Sequence, residues 1–398
     1  MMDAYEYGLT DFQYIAAGAA ILASGGGGSY QDAMDILQEL ADSGWSGTVR
    51  VQDYDGATNG CVLAIMGSPD AAASMTLADI RFSISNTLSQ FAASTGLTPG
   101  CVIPVEIGPI NSIVPLIAAA MSNGKLWVVN GDGAGRAVPE LPQTTYSGSA
   151  NLAASPCVLA NDAQNSRAVQ SSLLNAGTAA EVETLAGGVV SAFGSFSGIA
   201  LWPSSAGNGY ALTGNYIAGT LTQAWLLGRH LLTALIPPST ADIASTIGNI
   251  TGRNATAIIT NFYITAVTQS TSSASLDAGI IRLDNALNQA DSTETHYLYN
   301  LNENLIMYSS LSALPDIIAP DSICYYSEST GRGFSNATND LAAYFDSSTG
   351  KSTGKPVSII KIEAAPELYN ASGVVSSFAA LLRNIGYAGA MPAQASRP

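Results

Sequence analysis

The sequence predicts an α/β layered N-terminal domain, residues 1–167, followed by a C-terminal α+β domain, residues 168–398, with a β-rich region at about 247–362. In the first third of the chain, short apolar runs alternate with helix-forming stretches, which is the order of elements in α/β folds. From about residue 247 the runs become β-branched or alternating, as in "ATAIITNFYITAVTQ", and this pattern favours strands.

The first two helices are predicted from their capping residues. The stretch "TDFQ" is typical of a capping box, with Thr10 as N-cap and Gln13 reaching back, and it opens an alanine-rich helix over 11–23. A run of four glycines ends this helix. Ser29 then caps a second helix, "YQDAMDILQELAD", which we expect to end near Ser43.

The strands that follow are short, and continuous apolar runs among them, such as "CVLAIM", favour a sheet that is buried on both faces. The predicted strands are "VRVQDY" (49–54), "CVLAIMG" (61–67), "CVIPVEIG" (101–108) and "LWVVNG" (126–131). The remaining predictions are helices near 85–95, 110–122, 177–188 and 216–233, extended chain over 189–202, and a final helix in "ASGVVSSFAALLRNIG".

Composition excludes several classes of partner. The net charge is −16 and only 11% of residues are charged, so the chain would repel nucleic acids and anionic membrane surfaces. The apolar stretch "SIVPLIAAAM" is too short to span a bilayer. The acidic N-terminus lacks the basic start of a signal peptide, so we expect a cytoplasmic protein. The sparse surface charge favours a homo-oligomer.

Cysteine and histidine usage argues against a zinc site. The four cysteines are scattered without a CxxC pair, and we expect them to be reduced core residues. The two histidines, His230 and His296, have no ligand partner at metal-binding spacing. A divalent metal, if one is bound, would therefore be held by carboxylates. His230 lies on a predicted helix and is not expected to be catalytic.

The glycine run in "ASGGGGSY" has two interpretations. A phosphate-binding P-loop would end in Gly-Lys-Ser/Thr, and a dinucleotide fingerprint would follow a strand, so no nucleotide cofactor is expected. One interpretation is a backbone nest at the start of the second helix, whose N–H groups suit an anion or a polarised carbonyl. The other is a tight turn between two helices. The residues concerned are Gly25, Gly26, Gly27 and Gly28.

Two further motifs follow predicted strands, at the carboxyl ends where α/β sheets bind ligands. In "VEIGPINS", Glu106 ends an apolar run, so we expect partial burial and a raised pKa, and Asn111 opens a helix. The alternative is a helix cap beside a solvated glutamate. In "VVNGDGAGRAVPELPQTTY", Asp132 is a candidate base or metal ligand and Arg136 a candidate clamp for a carboxylate or carbonyl. The alternative is an internal Asp–Arg–Glu salt-bridge cluster that includes Glu140. Glu303 in "LNENL" is expected to be solvated.

The order of several short motifs resembles that of the S-methyl-thiohydantoin desulfurase family. These motifs are the glycine run, "EIGPINS", "NGDGAGRAVPELPQTTY", "GT" at 219–220, "LGR" at 227–229, "NENL" and "LPDII". The resemblance covers about residues 10–390, and "DGAGRAVPE" is its specific part. Members often accompany or are fused to hydantoinase/oxoprolinase proteins. This chain departs from the family pattern at Ser29, where an acidic residue is expected, and at Asn130, which replaces an aspartate.

The resemblance implies a hydrolase that replaces the methylthio group of a cyclic amide with oxygen. On this basis Asp132 or Glu106 is predicted to be the base, while Arg136 and Asn111 polarise the ring. Gly25–Gly28 would supply N–H donors and Glu140 would orient Arg136. Glu140, Thr144 and Thr145 are assigned to substrate binding. Two alternatives stay open: a non-catalytic subunit of a hydantoinase-type assembly, with "NGDGAGRAVPEL" at the interface, and a cyclic amidase with a carboxylate-held divalent metal.

Overall fold

The computed structural model describes residues 4–67, 75–271 and 277–392, and it contains two large sheets with helices packed against them. Up to residue 204 the strands are β1 Tyr5–Tyr7, β2 Val49–Gln52, β3 Gly60–Met66, β4 Cys101–Pro104, β5 Trp127–Val129, β6 Gly131–Asp132, β7 Cys157–Ala160, β8 Ser171–Leu174 and β9 Ser197–Ser204. The helices of this half are α1 Leu9–Leu22, α2 Tyr30–Asp42, α3 Leu77–Thr95, α4 Pro109–Met121 and α5 Ala179–Ala192.

The first sheet has eight strands in the order β1-β2-β5-β4-β3-β9-β7-β8. Its four central strands, from β2 to β3, are parallel, and the outer strands pair antiparallel. The predicted α/β layering of the N-terminal part is therefore confirmed. Strands β8 and β9 come after residue 167 in the chain and still belong to this sheet.

Both faces of the sheet are buried, as the apolar strands predict. On β3, Leu63 packs into a core with helices α1 to α4, while its neighbour Val62 packs into a second core with α5. Successive side chains of a strand point to opposite faces, so a strand that contacts helices on both sides must be apolar throughout.

The second half is dominated by antiparallel strands. Its strands are β10 Ile217–Ala218, β11 Ala255–Thr271, β12 Asp277–Asp284, β13 Thr295–Leu301, β14 Glu303–Ser309, β15 Pro315–Ile318, β16 Ser322–Tyr326, β17 Phe345–Asp346, β18 Lys351–Ser352 and β19 Val357–Ile362. Its helices are α6 Thr220–Thr233, α7 Thr240–Thr251, α8 Thr338–Leu341, α9 Pro366–Asn370 and α10 Val374–Asn384. A seven-stranded sheet runs in the order β15-β14-β13-β12-β11-β19-β16.

Three local predictions need correction. Helix α1 begins at Leu9, and its capping residue is Gly8, whose N–H donates to the Asp11 carboxylate at 2.9 Å; Thr10 is already helical. The expected extended chain over 189–202 is helical up to Ala192, because α5 continues, and β9 begins only at Ser197. The β-rich region starts at Ala255 because α7 occupies the residues before it.

Other local predictions are confirmed. The Ser29 side chain caps α2 by accepting the N–H of Asp32 at 3.1 Å. All four cysteines are buried and free. In the part of the chain that the structure describes, none of the helices combines the length and hydropathy needed to cross a bilayer.

Candidate functional site

A cavity of about 110 Å³ lies where the carboxyl ends of β3 and β4 meet the glycine run, α5 and the start of β14. Much of its wall is apolar, with Ile65, Met75, Val105, Ile110 and Ile199 among the lining residues. The cavity therefore lies at the sheet edge that the sequence indicated, and it is enclosed on one side by the C-terminal half of the chain.

The polar part of this wall is acidic. Among the described residues that line the cavity there is no Lys, Arg or His. The carboxyl side chains on the wall are Asp32, Glu106, Glu140, Glu183 and Glu303. Because several carboxylates in a small cavity repel one another, protonation of some of them is favoured.

Glu106 follows β4 and precedes α4, where Gly108 and Pro109 begin the helix. Its two oxygens accept hydrogen bonds from the backbone N–H of Val138 at 2.6 Å and from Asn111 Nδ2 at 2.8 Å. The side chain is buried, and burial raises the pKa of Glu106 from 4.5 to about 7. The prediction of a buried glutamate with a raised pKa is confirmed.

Glu303 was expected to be solvated, and this expectation is wrong. The residue is the first of β14 and follows Asn302, whose positive φ of 55° turns the chain out of β13. Its side chain is only 3% exposed because the glycine run covers it, and Oε1 accepts the N–H of Gly27 at 3.3 Å. Within the described residues Oε2 has no hydrogen-bond partner. Burial, followed by the charge of Glu106, raises the pKa of Glu303 well above its ordinary range.

Two more acidic residues of the cavity were not among the predicted site residues. Glu183 on α5 accepts the N–H of Leu141 at 3.0 Å, and burial raises the pKa of Glu183 to about 7. Asp32, in the first turn of α2, accepts Asn339 Nδ2 at 2.9 Å, and burial raises its pKa. Both look like ordinary helix carboxylates in the sequence. Only the rarity of charge in this chain could have drawn attention to them.

The glycine run is a turn with close packing on two sides. Gly27 has φ +69°, and a Cβ there would lie 2.4 Å from the Cα of Gly108. The Gly27 carbonyl accepts the N–H groups of Ile110 and Asn111 at 3.0 and 3.3 Å. A Cβ on Gly26 would lie 1.9 Å from Glu303 Oε1. The glycines therefore allow α4 and β14 to approach the same loop, and Gly27 and Gly28 line the cavity.

The N-terminus of α2 carries an internal carboxylate. Asp340 accepts the N–H groups of Tyr30 and Gln31 at 3.0 and 3.1 Å and the hydroxyl of Ser29 at 2.9 Å. An anion bound to these N–H groups would have to displace Asp340. The N–H of Gly27 already donates to Glu303, so the remaining expectation for the glycine run, donation to substrate, depends on Gly28.

Asp132 and Arg136 lie outside the cavity wall. Arg136 is fully buried, and its guanidinium donates to the backbone carbonyls of Ala137, Pro320, Asp321 and Asn304 at 2.8–3.0 Å.

Asp132 accepts the N–H groups of Ala134 and Gly135, the second at 2.7 Å, and burial raises its pKa to about 6. Both side chains therefore hold the Gly-rich loop and the start of β16 in place.

Some of the other predicted residues line the cavity and some lie outside its wall. Asn111 and Glu140 line the cavity, and burial raises the pKa of Glu140. Thr144 and Thr145 lie outside the cavity wall and donate to the carbonyls of Leu141 and Asn215, each at 2.9 Å. Five of the predicted site residues line the cavity together: Gly27, Gly28, Glu106, Asn111 and Glu140. The other six lie outside the cavity wall: Gly25, Gly26, Asp132, Arg136, Thr144 and Thr145.

The acidic wall does not form a metal centre in this structure. Over residues 4–67, 75–271 and 277–392, no three His, Cys, Asp or Glu side chains converge closely enough to hold a metal ion.

Comparisons with known proteins cover nearly the whole chain. Residues 10–171 match the family model described as "S-Me-THD-like, N-terminal domain", and residues 177–374 match "S-Me-THD-like, C-terminal domain". No match was found among curated proteins. A crystal structure of a protein from Chromobacterium violaceum is similar to this chain, with a TM-score of 0.78, 24% identity, and 97% of this chain and 98% of that chain covered. At this identity the likeness shows a shared fold.

Proposed function

This chain belongs to the S-Me-THD-like family, and we propose that it is a hydrolase of S-methyl-thiohydantoins or closely related cyclic amides. The observation that carries the proposal is the pairing of Glu106 and Glu303 on the wall of one cavity. They come from the two halves of the chain, and the charge of Glu106 contributes to the raised pKa of Glu303. The apolar remainder of the wall suits a small ring and its methylthio group.

The two carboxyl groups suit opposite roles in acid–base catalysis. Glu106, with a pKa of about 7, is partly ionised at neutral pH and can accept a proton. Burial raises the pKa of Glu303 well above its ordinary range, which favours the protonated form that can donate. A carboxylate and a carboxylic acid in one cavity can act as base and acid at the same pH.

The reaction is then a water-for-thiol exchange. The Glu106 carboxylate removes a proton from water as its oxygen bonds to the ring carbon that carries sulfur. Glu303 donates its proton to the adjacent ring nitrogen. The carbon–sulfur bond breaks, the sulfur leaves with its electron pair, and the proton held by Glu106 passes to it. The new hydroxyl gives its proton to the Glu303 carboxylate as the carbonyl forms, which restores both carboxyl groups. The products are a hydantoin and methanethiol. Asn111 Nδ2, which bonds Glu106, fixes the orientation of the base.

The Gly-rich loop argues for this proposal over a non-catalytic subunit. Residues 130–139 are buried inside the chain and 140 is half-buried, so "NGDGAGRAVPEL" offers little surface to a partner. A cyclic amidase with a carboxylate-held metal remains a second candidate because the cavity is rich in carboxyl groups.

The test is release of methanethiol from an S-methyl-thiohydantoin, with the hydantoin product identified by mass spectrometry. The wild type is compared with Glu106→Gln, Glu303→Gln and the matched control Glu6→Gln, whose side chain is exposed on β1. Each cavity variant should lose about 10²- to 10⁴-fold in kcat/KM, the usual contribution of a general acid or base. The control should keep wild-type activity.

The assay is repeated after chelation and with added Mg²⁺ or Mn²⁺. Activity that disappears with the chelator and returns with the metal would replace this mechanism with the metal-dependent one. No methanethiol under either condition, from protein that unfolds cooperatively, would refute the proposed reaction.

A further inference from the structure

We propose that the cavity binds its ring as a compact organic cation of the amidinium or isothiouronium type, and excludes rings that carry a carboxylate or phosphate. This inference rests on the proposed function for the size and shape of the ring. It adds the charge of the ligand, which determines which cyclic amides and related rings the protein accepts.

The charge of the wall supports the inference. Five carboxyl side chains line the cavity, and no cationic side chain does so in the described part of the chain. Arg136 is a buried cation whose charge affects Glu106 and Glu303, and its guanidinium bonds are directed to backbone carbonyls. An anionic substituent would meet carboxyl groups and no cationic side chain on the described wall.

A second, independent observation is an unused acceptor. Glu303 Oε2 is buried without a hydrogen-bond partner, although its side chain is 97% removed from solvent. A buried polar atom without a partner carries a free-energy cost that a ligand donor removes. An N–H of an amidinium is such a donor, and the bond is stronger when the donor carries positive charge. The acceptor is then the ionised form of Glu303, which is also the form left once its proton has passed to a ring nitrogen of the substrate.

Size limits the cation to one small ring. The cavity measures about 110 Å³, and a dry cavity of about 150 Å³ accepts benzene. A five-membered ring with one small substituent is therefore the appropriate scale. The apolar wall would contact the faces of the ring while its N–H edge meets the carboxyl groups.

Binding of a cation should also release protons. At pH 7 Glu106 and Glu183, each with a pKa of about 7, are partly protonated, and burial favours the protonated form of Glu303. The other acidic groups that face them are Asp32 and Glu140, whose pKa values are also raised by burial. A bound positive charge favours ionisation of these carboxyls, so protons pass to the buffer.

The experiment is isothermal titration calorimetry at pH 7 in two buffers of different ionisation enthalpy, which reports both affinity and proton release. The probes share one ring size and differ in charge: 2-amino-2-imidazoline is cationic, hydantoin is neutral and hydantoin-5-acetate is anionic. None of them carries a methylthio leaving group. The proteins are the full-length wild type, Glu303→Gln, Glu183→Gln and Glu6→Gln.

We expect the cation to bind about tenfold or more tightly than hydantoin, the ratio between a charge-assisted and a neutral hydrogen bond. Its binding should release on the order of one proton. Glu303→Gln and Glu183→Gln should each reduce this preference, and Glu6→Gln should not. Equal or tighter binding of hydantoin-5-acetate, or no preference for the cation, overturns the inference.

The outcome is separable from that of the proposed function. Methanethiol release without a preference for the cation would leave the hydrolase intact and remove the inference. Preferential, proton-releasing binding of the cation without methanethiol release would support the inference about ligand charge and refute the proposed hydrolase.

Discussion

The raised pKa of Glu106 makes a quantitative prediction about stability. This carboxyl has a pKa of about 7 in the folded protein against an ordinary 4.5. Between these values the native state binds more protons than the unfolded state, so stability falls as pH rises through that window. From the two pKa values, the cost of this group is about 0.8 kcal/mol at pH 5 and about 3.3 kcal/mol at pH 8.

Glu106→Gln removes the titration and keeps the shape of the side chain. The amide still has one oxygen for the N–H of Val138, and any cost from the second hydrogen bond, to Asn111, is the same at every pH. Relative to wild type, the free energy of unfolding of the variant should therefore increase by about 2.5 kcal/mol between pH 5 and pH 8.

The assay is equilibrium urea unfolding at half-unit steps of pH, followed by tryptophan fluorescence, for wild type, Glu106→Gln and Glu6→Gln. The difference between Glu6→Gln and wild type should be independent of pH. A difference between Glu106→Gln and wild type that changes by less than about 0.5 kcal/mol from pH 5 to pH 8 would refute the claim that burial raises the pKa of this carboxyl.

Three further variants test the supporting structure. Arg136→Lys should lower the free energy of unfolding by about 2–4 kcal/mol, since a lysine cannot reproduce four planar bonds to carbonyls; full stability with lost activity in the methanethiol assay would instead restore a catalytic role for Arg136. Gly27→Ala should cost about 3 kcal/mol or more in urea unfolding because its Cβ would meet Gly108. Gly44→Ala, with φ +81° and open space around it, should cost only about 1 kcal/mol, and equal costs would contradict the packing argument. Asp340→Asn should lower the free energy of unfolding by about 1–3 kcal/mol, and with it the thermal midpoint, since the N-terminus of α2 loses its carboxylate. An unchanged midpoint would contradict that role.

Several features were predictable because they depend on residues close together in the chain. The cap at Ser29 needs only the N–H three residues later, so the start of α2 was predicted correctly. The apolar strand before Glu106 indicated a buried carboxylate because residues at the end of a strand that is covered on both faces are also buried. The cap of α1 was misplaced by two residues, since glycine and threonine can both precede a helix and only the structure selects between them.

Assignment of charged residues to the site was less successful because burial depends on distant parts of the chain. The motif around Arg136 combined charge with glycines, which is typical of ligand loops and equally of a loop fixed by a buried guanidinium. Its partners Pro320 and Asp321 are 184 and 185 positions away, and no local pattern indicates that they come together.

By itself, the sequence determined the α/β character of the first half, the antiparallel character of the second, and the position of Glu106 at a strand end. Hydrophobic period and capping chemistry act over a few residues, so they can be read locally. Only the tertiary structure decided that Glu303 belongs to the same cavity. Gly27 and Glu303 are 276 positions apart, and the loop buries the carboxylate because glycines allow close approach of the backbone. In the sequence alone, that glutamate is indistinguishable from a solvated one.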